Sequence, residues 1–379
     1  MNDERFDRLA GELLRLIEIP SPSGNEGPIL EYLEKRLQFL DLPSKRQMIT
    51  ENMGNLVFNP GSKVLLDLHV DTVPEIMEGI KCSPYLDGDL VYGRGASDIK
   101  GSIASLIIAL EDYAQITKRD VNFPASIVFT VDEEQGGRGA YEAVNLRPEE
   151  VIVFEPTELD VCTMEAGAIG VRLNFSGRPA HGSDFEAGEN AITKAIEFLS
   201  KLKELPFLEG EHPRIGEAGF NVQALFGGSA DELVIPSRSE MYVDFRLLPE
   251  VDHREAEIQL RQFFEEKGVD YEIDDVSPPF LLDDEVPIAR KLKEVASAEL
   301  GLSLQTGAFK SWSDAEPYVT AGIPAIVFGP GKLSVSHTPF EHISLGEMDV
   351  ASRILTAFLA SLADLSRDER DELNISRVR

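Results

Sequence analysis

Phe6, Leu9, Leu13, Leu14, Leu16 and Ile17 recur near a 3.6-residue period, which predicts an amphipathic helix that Pro20, Pro22 and Gly24 then stop. Residues 26–39 predict a second helix, with Pro28 tolerated in its first turn. The texture then changes. Val64-Leu65-Leu66-Asp67-Leu68-His69-Val70-Asp71 is an apolar run of strand length that ends in polar residues. Three more such runs follow: 125–131 before Asp132-Glu133-Glu134, 151–154 before Glu155-Pro156, and 325–328 before Gly329-Pro330-Gly331. Residues 102–113 are apolar at helical spacing. Strands alternating with helices predict an α/β layer whose mostly parallel central sheet is flanked by helices.

The middle of the chain reads differently. Residues 171–175 alternate, 190–205 are helical, 220–226 and 241–247 are strand-like, 254–266 are helical and 269–273 form a strand. That order, β-α-β-β-α-β, is the split pattern of a ferredoxin-like unit. The expected organisation is therefore an α/β domain over 1–168 and 286–379, interrupted by an inserted α+β domain over 169–285. The sequence carries no internal repeat, and only the tail, 364–379, is charged enough to fray.

With 67 acidic against 36 basic residues the chain carries a formal charge of −31, which repels phosphate backbones and anionic lipid. Nucleic-acid and membrane-surface binding are therefore not expected. Cys82 and Cys162 show neither a disulfide framework nor metal spacing and read as two reduced thiols. Residues 1–19 alternate charges with Leu and Ile, unlike a signal peptide, and no run approaches the roughly 20 apolar residues of a membrane span. A cytoplasmic protein is expected.

In a parallel sheet, ligands gather at the carboxyl ends of the strands. Acidic and imidazole residues fall there repeatedly: His69 and Asp71, Asp132 to Glu134, Glu155, and His337 beyond the last strand. Asp98 lies in a glycine-rich turn, Gly93-Arg94-Gly95-Ala96-Ser97-Asp98, just before a helix. Any one of these could be a solvated or capping residue, but together they form a ligand set that suits zinc, with cobalt and manganese as alternatives. Two such ions need a bridging carboxylate and polarise a shared water, while one carboxylate must stay free as base. Glu133 and Glu134 can divide base and ligand duty because neighbours past a strand point in different directions. His69 and Asp71 share a face, so Asp71 can orient the imidazole.

His69-Val70-Asp71-Thr72-Val73-Pro74, Gly93 to Gly101, Asp132-Glu133-Glu134, Glu155-Pro156-Thr157 and His337-Thr338-Pro339-Phe340-Glu341 resemble, in order, the motifs of the dizinc amidohydrolase and peptidase family. That family comprises acetylornithine deacetylase, succinyl-diaminopimelate desuccinylase, aminoacylase and carboxypeptidase G. The resemblance spans almost the whole chain. It implies a catalytic α/β domain with an inserted lid or dimerisation domain, and two divalent metal ions. By resemblance Asp98 bridges the metals, His69 and Glu155 hold one, and Glu134 and His337 hold the other. Glu133 becomes the general base and acid, and Asp71 the orienter of His69. In the insertion, Gly177 to Ser183 is similar to the segment whose histidine, here His181, reaches the substrate carbonyl, commonly in the other subunit of a homodimer. Asp244 to Pro249 is similar to the segment whose arginine, here Arg246, meets the substrate carboxylate.

Two departures bear on substrate. Leu233 stands where many relatives have Asn, removing one expected substrate hydrogen bond. The loop Phe309-Lys310-Ser311-Trp312-Ser313-Asp314-Ala315 lacks the glycine pair many desuccinylases carry, so Lys310 is a candidate for shaping a different pocket. The expected function is hydrolysis of the amide of a small N-acyl amino acid or short peptide by metal-bound hydroxide, of the acetylornithine or acetyl-lysine deacetylase type. A succinyl-diaminopimelate desuccinylase and a dipeptidase or carboxypeptidase are the alternatives. From a different class, a metal-free binding or scaffold protein is the competing reading, which metal analysis separates.

Overall fold

A computed structural model of the chain describes residues 2–74, 76–77, 80–81, 84–117 and 123–363. Cys82 and the tail at 364–379 lie outside the described residues. The chain divides into two compact units, Met1–Thr163 with Leu282–Gly307 and Ser313–Arg379, and Met164–Leu281 with Ala308–Trp312.

The first unit is an α/β layer. Four central strands, in the order Ala125–Thr130, Val64–His69, Glu150–Val153 and Ala325–Val327, run parallel. Every residue of these strands except Glu150 is buried, which is why they read as continuous apolar runs rather than alternating ones. Gly54–Phe58 adds antiparallel to Ala125–Thr130, and Ser44–Met48 adds antiparallel beyond it. On the far side the buried Cys162 pairs antiparallel with Val327. Helices Gly101–Ile116 and Leu345–Leu362 pack on each other, and Asn2–Ile17 and Pro287–Leu300 pack against Leu345–Leu362. Leu9, Leu13 and Leu16 supply the buried stripe of the first helix, each stabilising the core by roughly 1.5–3 kcal/mol. The second predicted helix is shorter than its pattern: it spans Gly27–Arg36, and a separate single turn, Gln38–Leu40, follows.

The second unit carries an antiparallel sheet in the order Gly219–Gly227, Arg238–Leu247, Gly167–Ser176, Asp270–Ser277. Ile169, Val171, Leu173 and Phe175 alternate inward and share a core with Phe198 and Leu202 of one helix and Leu260 and Phe264 of the other. Those helices, Ala191–Leu202 and His253–Lys267, begin where the sequence supplies caps: Asn190 accepts from Ile192 and Thr193 N–H, and Asp252 from Arg254 and Glu255 N–H. This is the β-α-β-β-α-β order read from the sequence, with the short pair Glu211–His212 and Gly216–Glu217 added after the first helix.

Candidate metal centre

Because the central strands of the first unit run parallel, their carboxyl ends fall on one edge, and the polar residues that terminate them meet there. His69 closes its strand, Glu133 and Glu134 follow Ala125–Thr130, and Glu155 follows Glu150–Val153. Asp98 arrives from the turn at 96–100, where its non-helical backbone, φ −122° and ψ 88°, carries the carboxylate out of the helical path. The Asp98–Ile99 peptide is cis. His337 arrives from the loop after Ala325–Val327. Within that loop Gly331 has φ +103°, and a Cβ there would lie 2.6 Å from Ser97 Oγ, so only glycine fits.

The two carboxylate oxygens of Asp98 face different imidazoles. Oδ1 lies 3.1 Å from His69 Nε2 and Oδ2 lies 3.4 Å from His337 Nε2. His69 Nε2 is 3.7 Å from Glu155 Oε1, and His337 Nε2 is 3.0 Å from Glu134 Oε2. Two groups result, His69 with Glu133 and Glu155, and Asp98 with Glu134 and His337, each with ligand atoms within 4.8 Å of one another. Asp71 does more than the spacing predicts. His69 Nδ1 is 3.0 Å from its backbone carbonyl and 3.7 Å from its carboxylate. The carboxylate itself accepts the N–H groups of Glu133 and Glu134, each at 3.1 Å, and the hydroxyl of Ser23 at 2.6 Å.

The electrostatics show what the site lacks. Burial pushes Glu133 and Glu155 well above the usual carboxylate range, opposed by the His69 charge and reinforced by neighbouring carboxylates, and burial also raises Glu134. Burial would lower both imidazoles, but their carboxylate partners outweigh it, holding His69 well above its ordinary value and taking His337 up to about 10. Asp98 is pulled down against burial by its bonds to the two imidazoles. Glu155 Oε1 is buried with no hydrogen-bond partner. Buried carboxylates that crowd two imidazoles and leave an acceptor unpartnered call for added positive charge. An oxygen and imidazole donor set without thiolate fits divalent ions of the zinc type, and both groups suit one.

The remaining predicted residues stand in the second unit. His181 is exposed; its Nδ1 accepts the Ser183 backbone N–H at 3.3 Å and lies 2.8 Å from Ser183 Oγ, which leaves the proton on Nε2. Arg246 donates from Nε to Asp244 at 2.8 Å. Lys310 is exposed, and Leu233 is 78% exposed. Ser23 was hidden from sequence reading because Pro20 to Gly24 signals only a helix stop. Beneath the site, Asp67 accepts from Thr130 and Tyr318, and Thr130 also meets Asp314, a buried network that only the folded sheet assembles.

An acetylornithine deacetylase of Proteus mirabilis is 28% identical over 373 residues, covering 91% of this chain and 94% of that one. A "Probable carboxypeptidase" of Aspergillus terreus is 28% identical over 374 residues, covering 89% and 82%. The solved structure of a tripeptidase from Staphylococcus aureus shares the fold with a TM-score of 0.75 at 22% identity, covering 95% of this chain and 99% of that one. Residues 65–361 match the family model described as Peptidase family M20/M25/M40, a span that begins in the first parallel strand and ends in the last helix. Since that match takes in both ion-binding groups, the chain belongs to this family and is a metal-dependent hydrolase.

Proposed function

We propose that the protein hydrolyses the amide of an N-acyl amino acid, of the acetylornithine or acetyl-lysine type, releasing a carboxylate and a free amine. The observation that carries the reading is Asp98 with one oxygen toward each imidazole at the strand ends, a bridging arrangement between two ion sites. His69 and Glu155 would hold one ion, Glu134 and His337 the other, with Asp98 shared. When bound, such ions polarise an amide carbonyl and lower the pKa of water. Glu133, half-buried and held well above the usual carboxylate range, would take a proton from the attacking water and return it to the departing amine. Asp71 fixes both glutamates of this pair through their backbone N–H groups.

His181, with its proton on Nε2, would donate to the substrate oxygen as negative charge develops there. Its placement in the second unit and the family resemblance support action within a homodimer, on the site of another copy. Arg246 would anchor the substrate carboxylate, since Nε is engaged by Asp244 and the guanidinium is a multi-donor fork. The region 324–342 and the deacetylase relative favour an acyl amino acid; the carboxypeptidase-named relative favours a short peptide as the second reading.

The test is an amine-release screen of the zinc- or cobalt-loaded protein against acetylornithine, acetyl-lysine, succinyl-diaminopimelate and dipeptides. Preference for an acetylated basic amino acid is expected, and Arg246→Ala should lower kcat/KM sharply for the free acid but far less for its methyl ester. Equal losses on acid and ester would remove Arg246 from carboxylate binding, and turnover of dipeptides alone would establish the second reading.

A further inference from the structure

Arg94 and Glu341 are buried, at 2% and 1% exposure, and form an ion pair through Arg94 Nη1 and Glu341 Oε2. Burying such a pair costs desolvation that a hydrophobic replacement would avoid, so its presence is poorly explained by stability alone. Its other oxygen supplies the explanation. Glu341 Oε1 accepts the backbone N–H groups of Ser97 and Asp98, both at 3.1 Å. These are N–H groups at the start of a short turn, where no intrahelical acceptor exists, and a carboxylate is their strongest available partner.

Glu341 also fixes where that turn sits relative to His337. Its carbonyl accepts the Gly93 N–H at 3.0 Å, its own N–H bonds Thr338 O at 3.3 Å, and the next residue, His342, pairs with Tyr92. A second tie runs alongside: Ser97 Oγ accepts the Lys332 N–H at 2.8 Å and lies 3.1 Å from Lys332 O, on the loop that leads to His337. Asp98 and His337 are far apart in sequence, yet their segments are joined at Glu341 and Ser97.

We infer that Glu341, held by Arg94, is a positioning residue that clamps the Asp98 turn to the His337 loop and so sets the spacing of the two ion sites. The inference rests on Asp98 as the shared ligand. Glu341 touches neither ion nor substrate in this account; it acts through the backbone of the bridging residue. Because Asp98 and His337 both belong to one group, the ion there depends on the clamp for two of its donors, whereas the ion at His69 and Glu155 depends on it only for Asp98.

The experiment challenges zinc-loaded protein with a chromophoric chelator and reads the release of the two ions separately, for the parent, Glu341→Ala, Glu341→Gln, Arg94→Lys and Asp98→Asn. Loss of an outer partner of a ligand typically weakens metal binding by about 10–100-fold. Glu341→Ala should weaken one ion by about that amount and the second less. Glu341→Gln, which keeps an acceptor for the two N–H groups but turns an amide toward Arg94, should lie between Glu341→Ala and the parent. Excess zinc should restore turnover in the Glu341 variants. Arg5→Met, in a distant ion pair with Asp112 and Asp349, controls for loss of stability and should leave both affinities at parental values. Folded Glu341 variants that hold both ions as tightly as the parent overturn the inference; if Glu341→Ala does not fold, Glu341→Gln and Arg94→Lys decide by the same criterion. Parental affinities in Asp98→Asn would instead overturn the bridging assignment itself.

Discussion

The proposed mechanism gives the chain neighbours Glu133 and Glu134 different work, and conservative changes separate them. Glu133→Gln should keep its metal while turnover falls by about a hundredfold or more, since general acid–base catalysis supplies roughly 10²–10⁴. Glu134→Gln removes a ligand and should lower metal content first; two tightly held zincs in that variant, or parental turnover in Glu133→Gln, contradicts the division. Proton linkage gives a second residue-scale prediction. Without metal, the carboxylates around them take His337 up to about 10 and hold His69 above its ordinary value, so both shifts favour the protonated ring. An ion binds only the neutral ring, so zinc uptake should release at least about one proton per imidazole ligand and tighten as pH rises from 6 to 8. Calorimetry in buffers of different ionisation enthalpy reads this directly, and buffer-independent heats would contradict it. At this scale the site was largely legible, because His69, Glu133, Glu134 and Glu155 sit where apolar strand runs end. The Asp71 contacts to the backbone of Glu133 and Glu134 were not, since a spacing of two residues reports a shared face and says nothing about a neighbouring strand.

At the scale of elements, legibility followed burial. The central strands are buried almost throughout because both faces are covered, so their mostly apolar runs announce themselves. Ser44–Met48 is an exposed edge whose Ser-Lys-Arg-Gln-Met sequence has no inward face to mark it. Leu345–Leu362 is buried on most sides, and its polar face is confined to the first half, at Glu347, Asp349 and Arg353, too short to reveal its period. Two glycines in helices give an element-scale test of opposite sign. Gly139 lies where helix Arg138–Ala143 meets the segment leading to Glu133, and a Cβ there would lie 2.4 Å from Val131 O and 2.6 Å from Val131 N. Gly139→Ala should therefore cost about 1–3 kcal/mol or more in stability and disturb metal retention, because the displaced backbone carries both glutamates. Gly11, in helix Asn2–Ile17, has nothing within 4 Å of its Cβ position, and Gly11→Ala should stabilise by roughly 0.5–1 kcal/mol. Thermal unfolding of the two variants checks both signs; destabilisation by Gly11→Ala or tolerance of Gly139→Ala would count against the packing described.

At the scale of the whole molecule, the split β-α-β-β-α-β order was readable because a switch from buried strands to alternating ones marks a sheet with one covered face. The sequence pattern held no information on whether copies of the chain share a site. If His181 serves another copy, mixing inactive His181→Ala with inactive Glu133→Gln protein should restore part of the activity in mixed dimers, each holding one intact site. No recovery after demonstrated subunit exchange would place His181 in the service of its own chain. Among the described residues no helix is long and apolar enough to cross a membrane. The central claim, a metal-dependent amide hydrolase with two ion sites on the sheet edge, is tested most directly by titrating zinc into metal-stripped protein while following amine release from acetylornithine. The account predicts no turnover without metal and a rise that levels off near two ions per chain, one for each group of ligands. Turnover that survives stripping, or fully loaded protein that releases amine from acetylornithine, acetyl-lysine, succinyl-diaminopimelate and dipeptides alike at no measurable rate, would contradict it.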